Sequence, residues 1–254
     1  MIRPNLDTAL VMLLLPLLLA QLVFVRRKVI RMPEPDGSRT GTTGHGAPLR
    51  LLVIGDSSAV GVGVPQQTQA LTPQLADELG KDFTVTWHLC GRNGATTADA
   101  PDLLGALNGT QFDLVYVIFG VNDAKNLRPE HHWRRDLLAL IQLLRTEHGA
   151  PQIFFSGLPR LQDFPLIPNP MRAILALRAN RFDRALKQIA TQHHCHHLPL
   201  DTKLDRAGMA PDGFHPGAPI YRLWAKKAAP AITERLPETD LARAPFGQTY
   251  LGDV

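Results

Sequence analysis

The chain has 254 residues, 44% hydrophobic and 20% charged, a composition that suits a globular domain with a sizeable core and excludes a disordered or fibrous chain. Its net charge of +4 is small and partly gathered in the run "RRKVIR" at 26–31, which gives little support to a nucleic-acid-binding face. Only two cysteines are present, Cys90 and Cys195, neither in a CxxC, which excludes a zinc-site spacing or a disulfide framework and leaves free thiols as the expectation.

From Ala9 to Val25 the chain is uncharged and mostly Leu and Val. That run reaches the lower limit, about 17 residues, for a helix that crosses a bilayer. Pro16 lies within it, which a spanning helix tolerates. Arg26, Arg27, Lys28 and Arg31 follow the run, while only Arg3 precedes it. The expectation is a membrane anchor with a basic flank over 1–31 and the rest of the chain in the cytoplasm. The alternative is a cleaved signal peptide and export, but the start is weakly basic and no A-x-A pattern closes the run. Residues 32–48, rich in Pro, Gly, Ser and Thr, read as a flexible linker.

Residues 49–236 read as one domain of alternating strands and helices. "LRLLVIG" (49–55) is a continuous apolar run, as for a strand buried on both faces. A helix is expected over 72–80, with Pro73 in its first turn and Gly80 at its end. "FTVTWHLC" (83–90) reads as a second strand. A helix over 96–107 leads to the strongest strand, "FDLVYVIFG" (112–120). Trp133, Leu137, Leu140, Ile141 and Leu144 recur at helical spacing over 129–149. A fourth strand (151–157), a long helix (171–194), a short fifth strand (196–200) and a last helix (217–232), which Pro230 is expected to cut short, complete the domain. Such alternation implies βαβ crossovers, hence an α/β fold with a parallel sheet between helices. The tail 237–254 has no clear periodicity and is expected to be unstructured or to wrap the domain.

In open parallel sheets the chemistry lies beyond the carboxyl ends of the strands. Polar clusters fall there: Gly55-Asp56-Ser57-Ser58, "GRNGATT" (91–97), Gly120-Val121-Asn122-Asp123 and "PDGFHPG" (211–217). Taken singly, each reads as turn or capping chemistry. Together they suit acyl transfer: a serine hydroxyl needs an imidazole to take its proton, and the imidazole needs a carboxylate to fix its tautomer. Asp212 and His215 are three apart, so one turn of backbone can bring them together. The oxyanion needs donors held in place, and the Ser57 N–H, a glycine N–H of 91–97 and the Asn122 amide are candidates.

These blocks resemble those of the SGNH hydrolases, also called GDSL esterases and lipases. "GDSSAVGVG" is similar to the first block, "GRNGATTAD" to the second, "GVND" to the third and "DGFH" to the last, in family order. The resemblance implies a three-layer α/β/α, flavodoxin-like fold with a five-stranded parallel sheet. It implies Ser57 as nucleophile, His215 as base and Asp212 as its partner. The oxyanion hole would be Ser57 N–H, Gly94 N–H and the Asn122 side chain. Ser58 stands where the family often has Leu, and is read as helping to hold the turn. Asp56 and Asp123 are read as loop anchors. The glycine-rich turn is read as freeing the backbone around the serine, since it lacks the lysine of a P-loop and the G-x-S-x-G of an elbow.

The run "HHCHH" (193–197) invites a zinc reading, but neighbouring strand residues point to opposite faces and cannot all converge. In the segment 156–170, Leu158, Phe164 and Leu166 are candidates for the wall of an acyl pocket. The expected function is a serine esterase or lipase acting on a small-molecule or lipid ester, with no metal or organic cofactor and no nucleic-acid partner. A glycan O-deacetylase, an acyltransferase of the same family and a non-catalytic binding module are the alternatives.

Overall fold

The computed structural model describes residues 6–28, 30–107, 109–149, 151–164, 166–200 and 206–236; the tail expectation lies outside them. The chain opens with helices α1 (Leu6–Leu13) and α2 (Leu15–Lys28) and then enters a six-stranded sheet. Its strands are β1 (Thr40–Gly44), β2 (Ala47–Gly55), β3 (Phe83–Gly91), β4 (Leu114–Ile118), β5 (Gln152–Ser156) and β6 (His196–Leu198), in the order β1-β3-β2-β4-β5-β6. All pairings are parallel except β1 with β3. The intervening helices are α3 (Ser57–Val60), α4 (Leu71–Leu79), α5 (Ala100–Leu104), α6 (Val121–Lys125), α7 (Glu130–Glu147), α8 (Met171–Gln192) and α9 (Ala218–Thr233).

The central parallel strands β2, β4 and β5 are largely apolar because helices cover both faces. Leu52, Ile54, Val115, Val117 and Phe155 pack with Trp133, Leu140, Phe182 and Leu186 of α7 and α8. Leu51, Val53, Leu114, Tyr116 and Phe154 pack with Leu75 and Leu79 of α4 and with Tyr221 and Trp224 of α9. Such a side chain contributes about 1.5–3 kcal/mol when fully buried. The register pairs Gly55 of β2 with Gly91 of β3 and with Ile118 of β4, so three strands end level and release their loops at one edge.

Four expectations are corrected. The segment 32–48 is not merely a linker, for its Thr40–Gly44 forms the antiparallel edge strand and raises the sheet from five strands to six. Gly41 lies flat on the Trp87 ring, where a Cβ would come within 2.7 Å. The helix expected over 96–107 is a short α5 between two 3-10 turns, Thr97–Asp99 and Gly105–Leu107. The expected membrane-spanning helix is also not formed. Pro16 has no N–H for the Met12 carbonyl, and the run divides at Leu14 into pieces of 8 and 14 residues. Among the described residues no helix is long and apolar enough to cross a membrane. Pro230, expected to end the last helix, instead lies inside α9, which continues to Thr233.

Candidate active site

Asp56 follows β2 in extended conformation and caps α3, its Oδ1 accepting the Ser58 N–H at 2.9 Å. This bond leaves Ser57 at the first position of the helix, buried to 8% exposure, with its N–H among those that have no intrahelical acceptor. The turn then returns through Gly63 at φ +114°. A Cβ there would lie 2.1 Å from the Pro216 carbonyl, so only glycine allows the 57–63 turn and the 210–217 loop to touch. Tyr221 Oη donates to the Val62 carbonyl at 2.7 Å and fastens α9 to the same turn. Residues more than 150 positions apart are thereby joined at one rim.

The 210–217 loop closes on itself: Ala210 N–H donates to His215 O at 2.8 Å, and Met209 pairs with Pro216. Asp212 Oδ1 accepts the N–H groups of Phe214 (2.9 Å) and His215 (3.0 Å), and its Oδ2 accepts His215 Nδ1–H at 2.5 Å. Burial pushes the Asp212 carboxyl up, but the bonds from the His215 ring, the His215 N–H and the Phe214 N–H outweigh it and hold the carboxyl below its ordinary range. The imidazole is thus fixed with Nδ1 protonated and Nε2 available as a base. Asp56 shows the opposite balance. Burial raises it to about 6, against the Ser58 N–H and the charges of His215 and Lys125.

Asn122 lies on α6 after β4 and is 4% exposed. Its Nδ2 donates to Ala95 O at 2.9 Å and reaches Asp56 Oδ2 at 3.5 Å. Behind it, Asp123 Oδ2 accepts the N–H and hydroxyl of Thr97 at 3.1 and 3.0 Å, and Trp133 Nε1 donates to Thr97 Oγ1 at 3.1 Å. From α8, the buried Arg178 donates to the carbonyls of Ala124 and Arg128 at 3.0 and 2.9 Å. These bonds tie the "GRNGATT" and "GVND" loops together. Gly94, at φ +80°, is exposed, and a Cβ there would meet nothing within 4 Å. Glycine is therefore favoured by the left-handed backbone rather than by a close neighbour.

Ser57, Asn122 and His215 line one cleft, together with Ile118, Phe119, Leu158, Phe164, Phe214 and Trp224. Among the described residues no hydrogen bond joins the Ser57 hydroxyl to the His215 ring; such contacts are often loose before substrate binds. Leu158 and Phe164 occupy the expected wall, while Leu166 faces an adjacent cleft with Lys28, Met209 and Asp212. Gly94 does not line the cleft itself but adjoins Asn122 through Ala95. Sequence reasoning missed Ile118, Phe119, Phe214 and Trp224 as lining, and these sit at the strand end, beside His215 and on α9.

The histidine run disperses. His196 Nε2 lies 3.4 Å from Gln152 Oε1, and His197 Nε2 lies 2.9 Å from Asp183 Oδ1, which also accepts the Leu158 N–H at 2.9 Å. Among the described residues no group of three His, Cys, Asp or Glu side chains is placed to hold a metal ion.

The chain is similar in fold to solved structures of low identity. A carbohydrate acetylesterase from Sinorhizobium meliloti is 18% identical, with 73% of this chain and 99% of that chain covered and a TM-score of 0.58. A psychrotrophic esterase from Pseudoalteromonas sp., in a structure inhibited by monoethylphosphonate, is 18% identical over 73% and 97% of the two chains, with a TM-score of 0.57. An extracellular lipase from Streptomyces rimosus is 18% identical over 73% and 99%, with a TM-score of 0.54. No curated protein matches the sequence. The family described as GDSL-like lipase/acylhydrolase matches residues 53–223, most of the chain. The chain therefore belongs to the GDSL-like lipase/acylhydrolase family, also called the SGNH hydrolases.

Proposed function

We propose that the protein is a serine esterase that cleaves carboxylic esters through an acyl-enzyme. Ser57 Oγ attacks the acyl carbon while His215 Nε2 takes its proton; the same imidazole then protonates the leaving alkoxide. Asp212 holds the ring and balances its charge. The oxyanion is received by the N–H groups of Ser57 and Gly94 and by the Asn122 amide, whose long 3.5 Å approach to Asp56 is the bond easiest to exchange for a substrate oxygen. Water deacylates the enzyme with His215 again as base.

The observation that carries this reading is the Asp212–His215 pair, bonded at 2.5 Å, whose His215 lines one cleft with Ser57 and Asn122. The cleft walls are mostly aliphatic and aromatic, which suits an acyl or aryl group. Hydrolysis of a p-nitrophenyl ester tests it. Ser57→Ala is expected to abolish turnover and Ser58→Ala to retain it; the reverse pattern would assign the nucleophile to Ser58. A panel of acetylated sugars and lysophospholipids then separates an O-deacetylase from a lipase, and transfer to an added alcohol identifies an acyltransferase.

A further inference from the structure

Exposed large apolar side chains on this molecule are not scattered. Beyond residue 30 they occur singly, as Leu127, Leu138, Leu177 and Leu223. On α1 and α2 they crowd together: Met12, Leu13, Leu17, Leu19, Val23 and Phe24 are each 46–76% exposed. Exposed apolar side chains gathered in one segment mark an interaction site, whereas single exposed leucines do not. The helices are nevertheless docked. Gln21 Nε2 donates to Asn169 O at 2.6 Å, and Gln21 Oε1 accepts the Met171 N–H at 3.1 Å, which moors α2 at the start of α8.

The charge distribution identifies the occupant. No acidic residue lies between Thr8 and Ile30, while Arg26, Arg27, Lys28 and Arg31 gather at the carboxyl end of the apolar run. Lys28 lays its ammonium 4.6 Å from the Phe24 ring centroid, with charge and apolar surface at one end of the helix. A second copy of the chain burying this face would leave the basic cluster without counter-charge from the helices. A lipid surface with anionic headgroups supplies both partners at once, acyl chains for the leucines and phosphates for the cations.

We propose that α1 and α2 form an in-plane docking surface for an anionic bilayer, lying on the membrane rather than crossing it. The mooring sets the geometry. Asn169 and Met171 adjoin the 156–170 segment that supplies Leu158 and Phe164 to the cleft, and Lys28 shares the adjacent cleft with Leu166 and the 210–213 loop that carries Asp212. A docked molecule presents the neighbourhood of its cleft to the leaflet, so an ester drawn from that leaflet is the substrate class it favours. This consequence rests on the esterase reading, whereas the docking surface does not.

Flotation of the full chain with vesicles tests the surface. Vesicles of phosphatidylcholine containing about 30% phosphatidylglycerol are expected to carry about tenfold more protein than phosphatidylcholine alone, and the difference should fade at high salt. Leu13→Glu with Leu17→Glu should abolish flotation on both. Arg27→Glu with Arg31→Glu should remove only the anionic preference. All these variants should hydrolyse a soluble p-nitrophenyl ester as the wild type does, which separates failure of this surface from failure of the catalytic reading. Protein that stays at the bottom of the gradient with both vesicles overturns the proposal, as does leucine-dependent dimerisation without vesicle binding. Retention in cell membranes through alkaline carbonate washing would show a spanning helix and overturn the in-plane arrangement; release supports it.

Discussion

Two loops at the same edge of the sheet each bury an aspartate, and the surroundings drive the two carboxyls in opposite directions. In the 210–217 loop, two backbone N–H groups and a histidine ring converge on Asp212 and overcome its burial. In the turn after β2, Asp56 receives one N–H at 2.9 Å and one long amide contact, and burial prevails, raising it to about 6. Burial alone does not decide the charge of a carboxyl; the number and quality of the donors pointed at it do. The first carboxyl stays ionised beside the His215 ring, and the second takes up a proton more readily while it caps the turn that carries Ser57.

The largest effect is expected from breaking the stronger side of this contrast. Asp212→Asn should lower kcat by about 10⁴, because an amide can fix the wrong histidine tautomer, with KM for a p-nitrophenyl ester little changed. Next, Asn122→Ala removes a side-chain oxyanion donor and should cost about 10²–10³ in kcat at similar KM, an effect confined to the transition state.

The comparison is sharpened by stability measured against pH. Asp56 has a folded pKa of about 6 against an ordinary 3.8, so its contribution to stability is fully present below 3.8 and is lost as pH rises through 6. Asp56→Asn should therefore gain thermal stability relative to wild type between pH 4 and 7, by up to about 3 kcal/mol. Asp212 is depressed, so its contribution is present above the ordinary carboxylate range and is lost as pH falls through the folded value. Asp212→Asn should accordingly lose ground to wild type as pH rises through that range. Parallel melting curves for both variants check the two signs, and equal slopes would erase the distinction drawn between the loops. The smallest effect is expected from Gly94→Ala, about 1–2 kcal/mol for forcing φ +80° on a residue with a side chain, read in the denaturant midpoint.

The legibility of the fold follows the same division between strong and weak local signals. Strands β2 and β4 are visible because both faces are covered, which forces continuous apolar runs such as "LRLLVI". Strand β1 is hidden because an edge strand with exposed threonines needs no apolar residues, and "TGTTG" has the composition of a linker. The N-terminal run reads as a span because hydropathy ignores the effect of Pro16 on the helical ladder. At the candidate site, the polar clusters that hold Ser57, Asn122, Asp212 and His215 are legible as clusters because each follows a strand or a tight turn near the same sheet edge. The role of Gly63 was not legible, since it depends on a backbone carbonyl at Pro216 brought in from the far end of the chain. Leu166 was misplaced for a similar reason, as its apolar character says nothing about which of two adjacent clefts it faces.

The claim on which the mechanism stands is that the Ser57 hydroxyl is activated by the imidazole of His215. Labelling the folded protein with a fluorophosphonate and mapping the adduct by peptide mass spectrometry addresses it most directly. A single adduct on Ser57, absent in Ser57→Ala, retained in Ser58→Ala and formed far more slowly in His215→Ala, is the result expected. An adduct on Ser58, or labelling of Ser57 at an unchanged rate without His215, would contradict the account.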